Sequence, residues 1–144
     1  MRRDIRELIE SNRICVLATV AERGPHCSLM SYAANGDVTE LYLATDKNTK
    51  KYRNLAANPS VSLLIDSREE NARGSRTATR ALTVTGTIRH GLDESERKAV
   101  REALCRRHPD LKDFFSNPSV EVIVVKIKSF QLLDGIRDSY FEEV

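Results

Sequence analysis

Two lysines stand at a point of the sequence where an apolar strand pattern gives way to a helix. Residues 41–45 read as an apolar strand, and Asn48, Thr49, Lys50 and Lys51 follow it closely. Thr49 or Asn48 can cap the helix, which places both lysines beside first-turn N–H groups that lack intrahelical partners. Without an anion, lysines are unfavourable there because they face the positive end of the helix dipole. The pattern indicates an anion cradle for a phosphate group, the alternative being a capped helix behind a solvated loop.

The cradle, residues 45–51, lies between two predicted strands. The helix that begins in it is predicted for Lys50–Ala57, because Asn58 and Pro59 stop it. Residues 61–66 come next as a short apolar run typical of a strand. The order is therefore strand, cradle, helix and strand.

Four motifs in a fixed order resemble those of a known family. They are Val16-Leu17-Ala18-Thr19-Val20, Gly24-Pro25, the cradle, and Asn58-Pro59-Ser60-Val61-Ser62-Leu63-Leu64. In this order and spacing the chain resembles the pyridoxamine-5'-phosphate-oxidase-like family of FMN-binding split β-barrels, most clearly over residues 14–89. The resemblance implies a mainly β (α+β) fold: a six-stranded antiparallel split β-barrel with flanking helices, as one FMN-binding domain over residues 1–144.

The resemblance also implies where FMN binds. In the family a run that begins with Arg and ends with Lys lines the isoalloxazine ring; here residues 28–33 stand there without either basic end. The backbone of that strand can still donate to flavin N5 and O4. Lysine replaces arginine at the phosphate, which loses bidentate geometry, and Ala81 stands where the family has Gln. The implied cofactor-binding residues are Ser28, Leu29, Met30, Ser31, Ala44, Thr45, Thr49, Lys50 and Lys51.

The substrate motif of true pyridoxamine-phosphate oxidases is absent from the sequence. Those enzymes close with a Trp-bearing segment and an Arg-Leu-His-Asp-Arg motif, whereas this chain has no Trp. The resemblance therefore implies a different FMN-dependent oxidoreductase, which passes electrons from a reduced nicotinamide or deazaflavin to a small molecule. The flavin does the redox chemistry, so no catalytic side chain is assigned. The alternative is a non-catalytic flavin- or haem-binding protein for storage or sensing.

A homodimer with the flavin at the subunit interface is expected. The second strand and the cradle provide one wall and one anchor, which leave the far face of an apolar ring exposed. In resembling proteins a second subunit completes the pocket. Residues 120–127 are apolar on both faces, which suits a strand that is covered on each side. A helix over the second face, through residues 99–104, is the alternative.

Composition excludes several other classes. The 144 residues are 40% hydrophobic and 31% charged, and 23 basic against 21 acidic residues give a net charge of +2. No global attraction to nucleic acid or membrane follows, and the charged N-terminus does not read as a signal peptide, so we expect a cytoplasmic protein. A loop over residues 67–80 holds four arginines, but Glu69 and Glu70 and the lack of interleaved aromatics disfavour nucleic-acid binding. A solvated lid near the cofactor is the preferred interpretation.

The cysteines and histidines are interpreted as bystanders. Cys15, Cys27 and Cys105 show no C-x-x-C spacing and are expected to be reduced thiols. His26 and Cys27 are neighbours on a strand and point to opposite faces, so no metal site is predicted. His90 and His108 precede Gly91 and Pro109 at element ends, where each has a structural explanation.

Other elements follow from periodicity and capping. A short leading helix has an apolar stripe at Ile5, Leu8 and Ile9, and a helix over Glu94–Arg107 begins at the cap Asp93. Its inner face is predicted to hold Ala99, Val100, Ala103 and Leu104. The further strands are predicted at residues 14–20, 25–34, 82–88 and 120–130, with Asn35-Gly36 opening a hairpin.

Overall fold

A computed structural model of the protein describes residues 1–68 and 78–144, which form one antiparallel sheet with helices around it. The helices are α1 Arg3–Ser11, α2 Lys50–Ala57, α3 Glu94–Arg107 and α4 Leu111–Phe114. The strands are β1 Ile14–Ala21, β2 Gly24–Ser31, β3 Ala33–Ala34, β4 Glu40–Asp46, β5 Ser60–Asp66, β6 Arg80–Ile88, β7 Val120–Asp134 and β8 Asp138–Glu143. No helix in the described ranges reaches the length and apolar character that a membrane crossing requires.

The two end strands of the sheet, β2 and β3, are consecutive in the chain, so the sheet must curl. Its strand order is β2-β1-β5-β6-β7-β4-β3, and β8 pairs with the far part of β7. Strand β2 pairs with β1, whereas β3, which begins two residues after β2 ends, pairs with β4 through Ala33 and Tyr42. The chain therefore links the two edges of the sheet at Tyr32. On the N-terminal side of Tyr32, β2 pairs with β1 and diverges from β4. A mainly β split barrel results, as predicted.

The barrel interior is filled by alternate residues of each strand. On β1, Cys15, Leu17 and Thr19 are buried while Ile14 and Val20 face outward. The interior cluster also takes Ile5, Leu8 and Ile9 from α1, as their spacing predicts. Strand β6 bulges at Thr85 and Gly86, where a Cβ on Gly86 would lie 2.6 Å from the Lys126 carbonyl oxygen. Only glycine fits this close approach of β7.

Helix α3 covers the outer face of β4 and β7. Asp93 caps it by accepting a hydrogen bond from Glu96 N at 2.8 Å, within a complete capping box. Val100 and Leu104 pack with Val122 and Val124 in a second apolar cluster. Ala99 is exposed, so its assignment to the inner face was wrong. Because α3 covers the second face of β7, the apolar strand at residues 120–127 gives no support for a dimer.

Several element predictions need correction. The sheet has eight strands, not six. Strand β8, with the polar sequence Asp-Ser-Tyr-Phe-Glu-Glu, gives too weak an apolar signal, and β3 has only two residues. The predicted strand 25–34 breaks at Tyr32, and β7 runs on to Asp134. Of the arginine-rich loop, residues 69–77 lie outside the described residues, so its predicted role is untested.

Tyr32 is fixed at the break between β2 and β3 by three hydrogen bonds. Its N–H donates to the Arg13 carbonyl at 3.1 Å and its Oη donates to the Ile9 carbonyl at 2.6 Å. The third bond joins its carbonyl oxygen to His108 Nε2 at 2.6 Å. Because a carbonyl only accepts, His108 must carry its proton on Nε2. The fully buried Tyr32 thereby connects α1 and the end of α3 to β2, the strand that is predicted to line the flavin ring.

We expect Cys15 to resist alkylation in the native protein. Burial raises the pKa of its thiol to about 12, so only about one molecule in ten thousand carries the reactive thiolate at pH 8. Mass spectrometry after brief iodoacetamide treatment should find Cys15 unmodified and Cys27, which is exposed, modified. Urea-unfolded protein is the control, in which all three thiols react. Equal modification of Cys15 and Cys27 in the native state would contradict the burial.

Candidate functional site

A cleft of about 270 Å³ opens where β2 and β4 diverge, beside the cradle. It is lined by three parts of the chain that are distant in sequence: the end of β2, the β4–α2 junction and α4. Seven of the nine predicted cofactor-binding residues lie in it, namely Leu29, Met30, Ser31, Ala44, Thr45, Thr49 and Lys51. Asp46, Leu111 and Phe114 complete the lining. None of these three was among the predicted cofactor-binding residues, although Asp46 lies within the predicted cradle.

The two remaining predicted residues lie outside this cleft. Lys50 points to the opposite side of α2, where it lines a separate cleft with Arg23 and Arg53. Ser28 pairs with Leu17 of β1 and is half-buried, one residue beyond the lining. The structure thus separates the two lysines that the sequence placed together. Their assignment to the cofactor stays a prediction, now with different geometry for each.

The β2 edge presents backbone groups to the cleft. The hydrogen bond from Tyr32 N to the Arg13 carbonyl makes these two residues a hydrogen-bonded pair of the antiparallel ladder. Hydrogen-bonded and non-hydrogen-bonded pairs alternate along an antiparallel ladder. In this register Leu29 and Ser31 belong to non-hydrogen-bonded pairs, so their N–H and C=O groups point away from β1. They face the gap between β2 and β4. A planar ring with polar edge atoms, such as a flavin, finds a row of donors and acceptors here.

Thr49 organises the cradle. Its Oγ1 caps α2 by accepting from Tyr52 N at 3.3 Å, so Thr49 and not Asn48 is the cap. The same hydroxyl donates to the Asp46 carbonyl at 2.8 Å, which uses its one proton. The contact with Thr45 Oγ1 at 3.3 Å therefore has Thr45 as the donor. Both hydroxyl protons are thus used to hold the loop.

The donors left for an anion are backbone N–H groups and an ammonium. Within the described ranges the N–H groups of Lys50 and Lys51 have no protein acceptor, as expected for a helix first turn. Lys51 Nζ belongs to a side chain that lines the cleft. Lys47 does not add to this set, because its ammonium pairs with Glu121 at 3.2 Å. Two amides, the helix dipole and one lysine fit a phosphate.

Asp46 places a carboxylate in the same cleft. It accepts from Asn48 N at 2.9 Å, from Ser119 Oγ at 2.9 Å and from Asn117 Nδ2 at 3.3 Å. The bond from the Asn48 amide, followed by that from Ser119, lowers the pKa of the Asp46 carboxyl. Its charge is therefore directed at three donors of the protein. Asp46 folds the cradle and ties it to the segment that precedes β7.

The histidines lie away from the cleft. His108 is buried against Tyr32, His90 is exposed at the end of β6, and His26 is half-buried near the start of β2. Met30 is the one cleft-lining residue, among those described, whose side chain belongs to the usual protein ligands of haem iron. The interpretation of the three histidines as bystanders and the prediction that no metal binds both stay untested.

The geometry defines a split-barrel protein with a cleft beside the first turn of α2, at the end of β4. Residues 1–134 match the family model described as pyridoxamine 5'-phosphate oxidase, so the chain belongs to this family. It is 38% identical over 69 residues to a pyridoxamine 5'-phosphate oxidase homologue of Schizosaccharomyces pombe, covering 42% of this chain and 36% of that protein. The chain thus spans about a third of the length of this relative.

Solved structures with the same fold bind different groups. A heme binding protein from Mycobacterium smegmatis superposes with a TM-score of 0.83 at 21% identity, covering 96% of this chain and 55% of that one. An FAD-binding protein from Mesorhizobium loti superposes with a TM-score of 0.73 at 19% identity, covering 92% of this chain and 94% of that one. At these identities the likeness shows the fold alone.

We expect Asp46→Asn to lower Tm by a few degrees at neutral pH, because an amide nitrogen would face the Asn117 amide donor. The lowered pKa of Asp46 means that its stabilisation is present above the ordinary aspartate value of about 4 and is lost as pH falls through the folded-state value. The difference in Tm between wild type and variant should therefore shrink below about pH 4. Asp138→Asn, at an exposed residue, is the control. A constant difference down to pH 3 would contradict this account.

Proposed function

We propose that the chain binds FMN in this cleft and acts as a flavin-dependent oxidoreductase on a small molecule. One observation carries the proposal: seven of nine residues assigned to the cofactor from sequence motifs line one cleft. These residues come from β2, from the end of β4 and from α2, which are separate in the chain. Their meeting in one cleft is what a shared cofactor site requires.

The phosphate would be held at the first turn of α2. The free N–H groups of Lys50 and Lys51 and the Lys51 ammonium supply charge-assisted hydrogen bonds. Thr45 and Thr49 contribute by fixing the loop, since their hydroxyl protons are already engaged. The loop thus requires little reorganisation on binding, which favours affinity. Asp46 is a like charge nearby, but its three donors direct its carboxylate into the protein.

The ring would lie along the free edge of β2. Leu29 and Ser31 direct backbone groups to its polar edge, and Met30, which is 6% exposed, closes the inner side. The bound flavin supplies the redox chemistry, while the chain binds it, orients it and excludes water. No acid or base of the protein is assigned a step. The electron donor would be a reduced nicotinamide or a deazaflavin, and the acceptor a small molecule.

The lining of the cleft favours a flavin over haem. Haem iron in proteins is usually held by His, Cys, Met or Tyr. His26, His90 and His108 all lie outside the described lining, which offers Met30 as its one ligand of these types. Because amides and an ammonium also bind carboxylates, which haem carries, the cradle itself does not distinguish the two groups, and the scarcity of iron ligands carries the preference. Haem storage or sensing nevertheless remains the second candidate, because a related fold belongs to a heme binding protein.

Turnover separates an oxidoreductase from a non-catalytic carrier. Purified protein loaded with FMN, mixed with NADPH or reduced deazaflavin under anaerobic conditions, should lose its flavin absorbance as the flavin is reduced. Addition of a small acceptor should restore it. Bound FMN that neither donor reduces would favour storage or sensing.

A homodimer would complete the site. The cleft, at about 270 Å³, is smaller than most small-molecule sites, which enclose about 300–1,000 Å³. Beside it lies an apolar surface, the outer patch, in which Leu29 is 68% exposed. Leu29 belongs to both the cleft and this patch, so a second copy seated here also covers the ligand. The outer patch consists of Ile14, Val16, Leu29 and Leu64; Val16 of β1 pairs with Leu29 of β2 on one side and with Leu64 of β5 on the other.

We expect Lys51→Ala to weaken FMN binding about tenfold to a hundredfold, which is the loss of about 1.5–3 kcal/mol for one charge-assisted bond. Riboflavin, which lacks the phosphate, should bind the variant as it binds wild type. Fluorescence titration of flavin-free protein measures both affinities. Lys50→Ala is the matched control, because this neighbour faces the other side of α2, and its effect should be smaller. Equal losses for FMN and riboflavin would place the phosphate elsewhere.

We expect wild type with FMN to have a mass near twice 16.3 kDa in light scattering. Val16→Lys should shift it to the monomer and weaken FMN, because a charge at the centre of the outer patch opposes a second copy. Ile136→Lys, at a 67% exposed residue between β7 and β8, is the control and should stay dimeric. A wild-type mass near 16.3 kDa with flavin fully bound would contradict the shared site.

A further inference from the structure

Helix α4 adds two apolar side chains to the cleft that the motifs did not assign to it. This single turn, Leu111–Phe114, was not expected from the sequence, yet Leu111 and Phe114 both line the cleft. Phe114 is 37% exposed, which is high for a phenylalanine in an apolar environment. Pockets that bind small molecules are lined mainly by hydrophobic and aromatic side chains. Phe114 is therefore available to a ligand.

The ring of Phe115, next to Phe114, shows that α4 is packed against the rest of the protein. Phe115 packs against the cluster of α3 and β7 that contains Leu104. The guanidinium of Arg101 lies 5.6 Å from the centre of its ring. The two phenylalanine rings are 6.3 Å apart and inclined by 56°. Phe115 thus anchors α4, while Phe114 faces the cleft.

The cradle holds the same segment from its other end. Asp46 accepts from Ser119 Oγ and Asn117 Nδ2, and Lys47 N donates to the Ser119 carbonyl at 2.9 Å. These bonds join the β4–α2 loop to the connection between α4 and β7. The phosphate-binding end and the apolar wall are therefore parts of one hydrogen-bonded unit. A ligand held at the cradle has its position relative to Phe114 fixed in advance.

We propose that Phe114 is a cofactor-contacting residue that packs against the apolar ring system of the bound flavin, as the wall that α4 contributes. The inference rests on the proposed function and deepens it. An isoalloxazine ring exposes two apolar faces, and the backbone edge of β2 satisfies its polar atoms without covering both. An aromatic ring packed on such a face adds to its burial. Phe114 also sets the room that is left for a substrate at the ring.

The contact predicts a signature opposite to that of Lys51. Phe114→Ala should weaken FMN and riboflavin by the same factor, about two- to tenfold, because both ligands carry the ring. Phe114→Tyr keeps an aromatic ring and should bind both ligands nearly as wild type does. Ile136→Ala, which removes an exposed apolar side chain far along the chain, is the matched control. Thermal unfolding of each variant establishes that it is folded. Because Phe114 is partly exposed, we expect its substitution to leave the fold intact.

The titrations decide the matter in each case. Equal weakening of both ligands in Phe114→Ala, with recovery in Phe114→Tyr, supports the contact. A folded Phe114→Ala protein that binds both ligands as wild type does would overturn it, and so would a loss confined to FMN, which would place Phe114 at the phosphate. Wild type that binds neither flavin would overturn the proposed function as well. Failure of the contact alone is thus distinguishable from failure of the flavin site.

Discussion

The three hydrogen bonds that fix Tyr32 determine the shape of the site. They hold the chain at the one residue where it leaves the β1 side of the sheet and joins β4. If the pairing of β3 with β4 extended back into β2, the barrel would close and the free backbone edge of β2 would be used in that pairing. Because Tyr32 is fully buried and bonded to α1 and His108, the divergence is fixed by the core. The cleft is a consequence of this break.

The cradle shows how a loop can be prepared for a ligand by using its own polar groups. Thr45 and Thr49 use their hydroxyl protons inside the loop. Asp46 accepts one bond from the Asn48 N–H of the loop and two from the side chains of Ser119 and Asn117. Among the described residues, two amides at the start of α2 and the Lys51 ammonium have no protein partner. Residues that define the family motif thus divide into those that build the loop and those free to bind. Sequence identity does not distinguish the two roles.

The local elements were predictable, whereas their meeting points were not. The bounds of α2 follow from the Thr49 cap and the stop at Asn58-Pro59. Those of α3 follow from the Asp93 cap at its start and from Pro109 just after its end, because short-range signals determine both helices. The separation of Lys50 from Lys51 was also readable, since adjacent helix residues lie about 100° apart. Asp46 could not be interpreted in this way, because its partners Asn117 and Ser119 come more than 70 residues later. Helix α4 and strand β8 depend on tertiary packing, which no local sequence pattern predicts.

The two outer faces of the barrel differ in what covers them, and in the proposed homodimer this difference would connect ligand binding to assembly. Helix α3 buries the face formed by β4 and β7, but the outer patch on β1, β2 and β5 keeps Leu29 and Ile14 exposed, at 68% and 46%. Leu29 also lines the cleft, so in the proposed homodimer the same side chain contacts both the flavin and the second copy. Linkage then requires that flavin stabilise the dimer by the same free energy by which dimerisation strengthens flavin binding. Ser31 lies two residues from Leu29 on β2 and directly precedes Tyr32, so the hydrogen bonds of Tyr32 hold the strand edge on which both proposals depend.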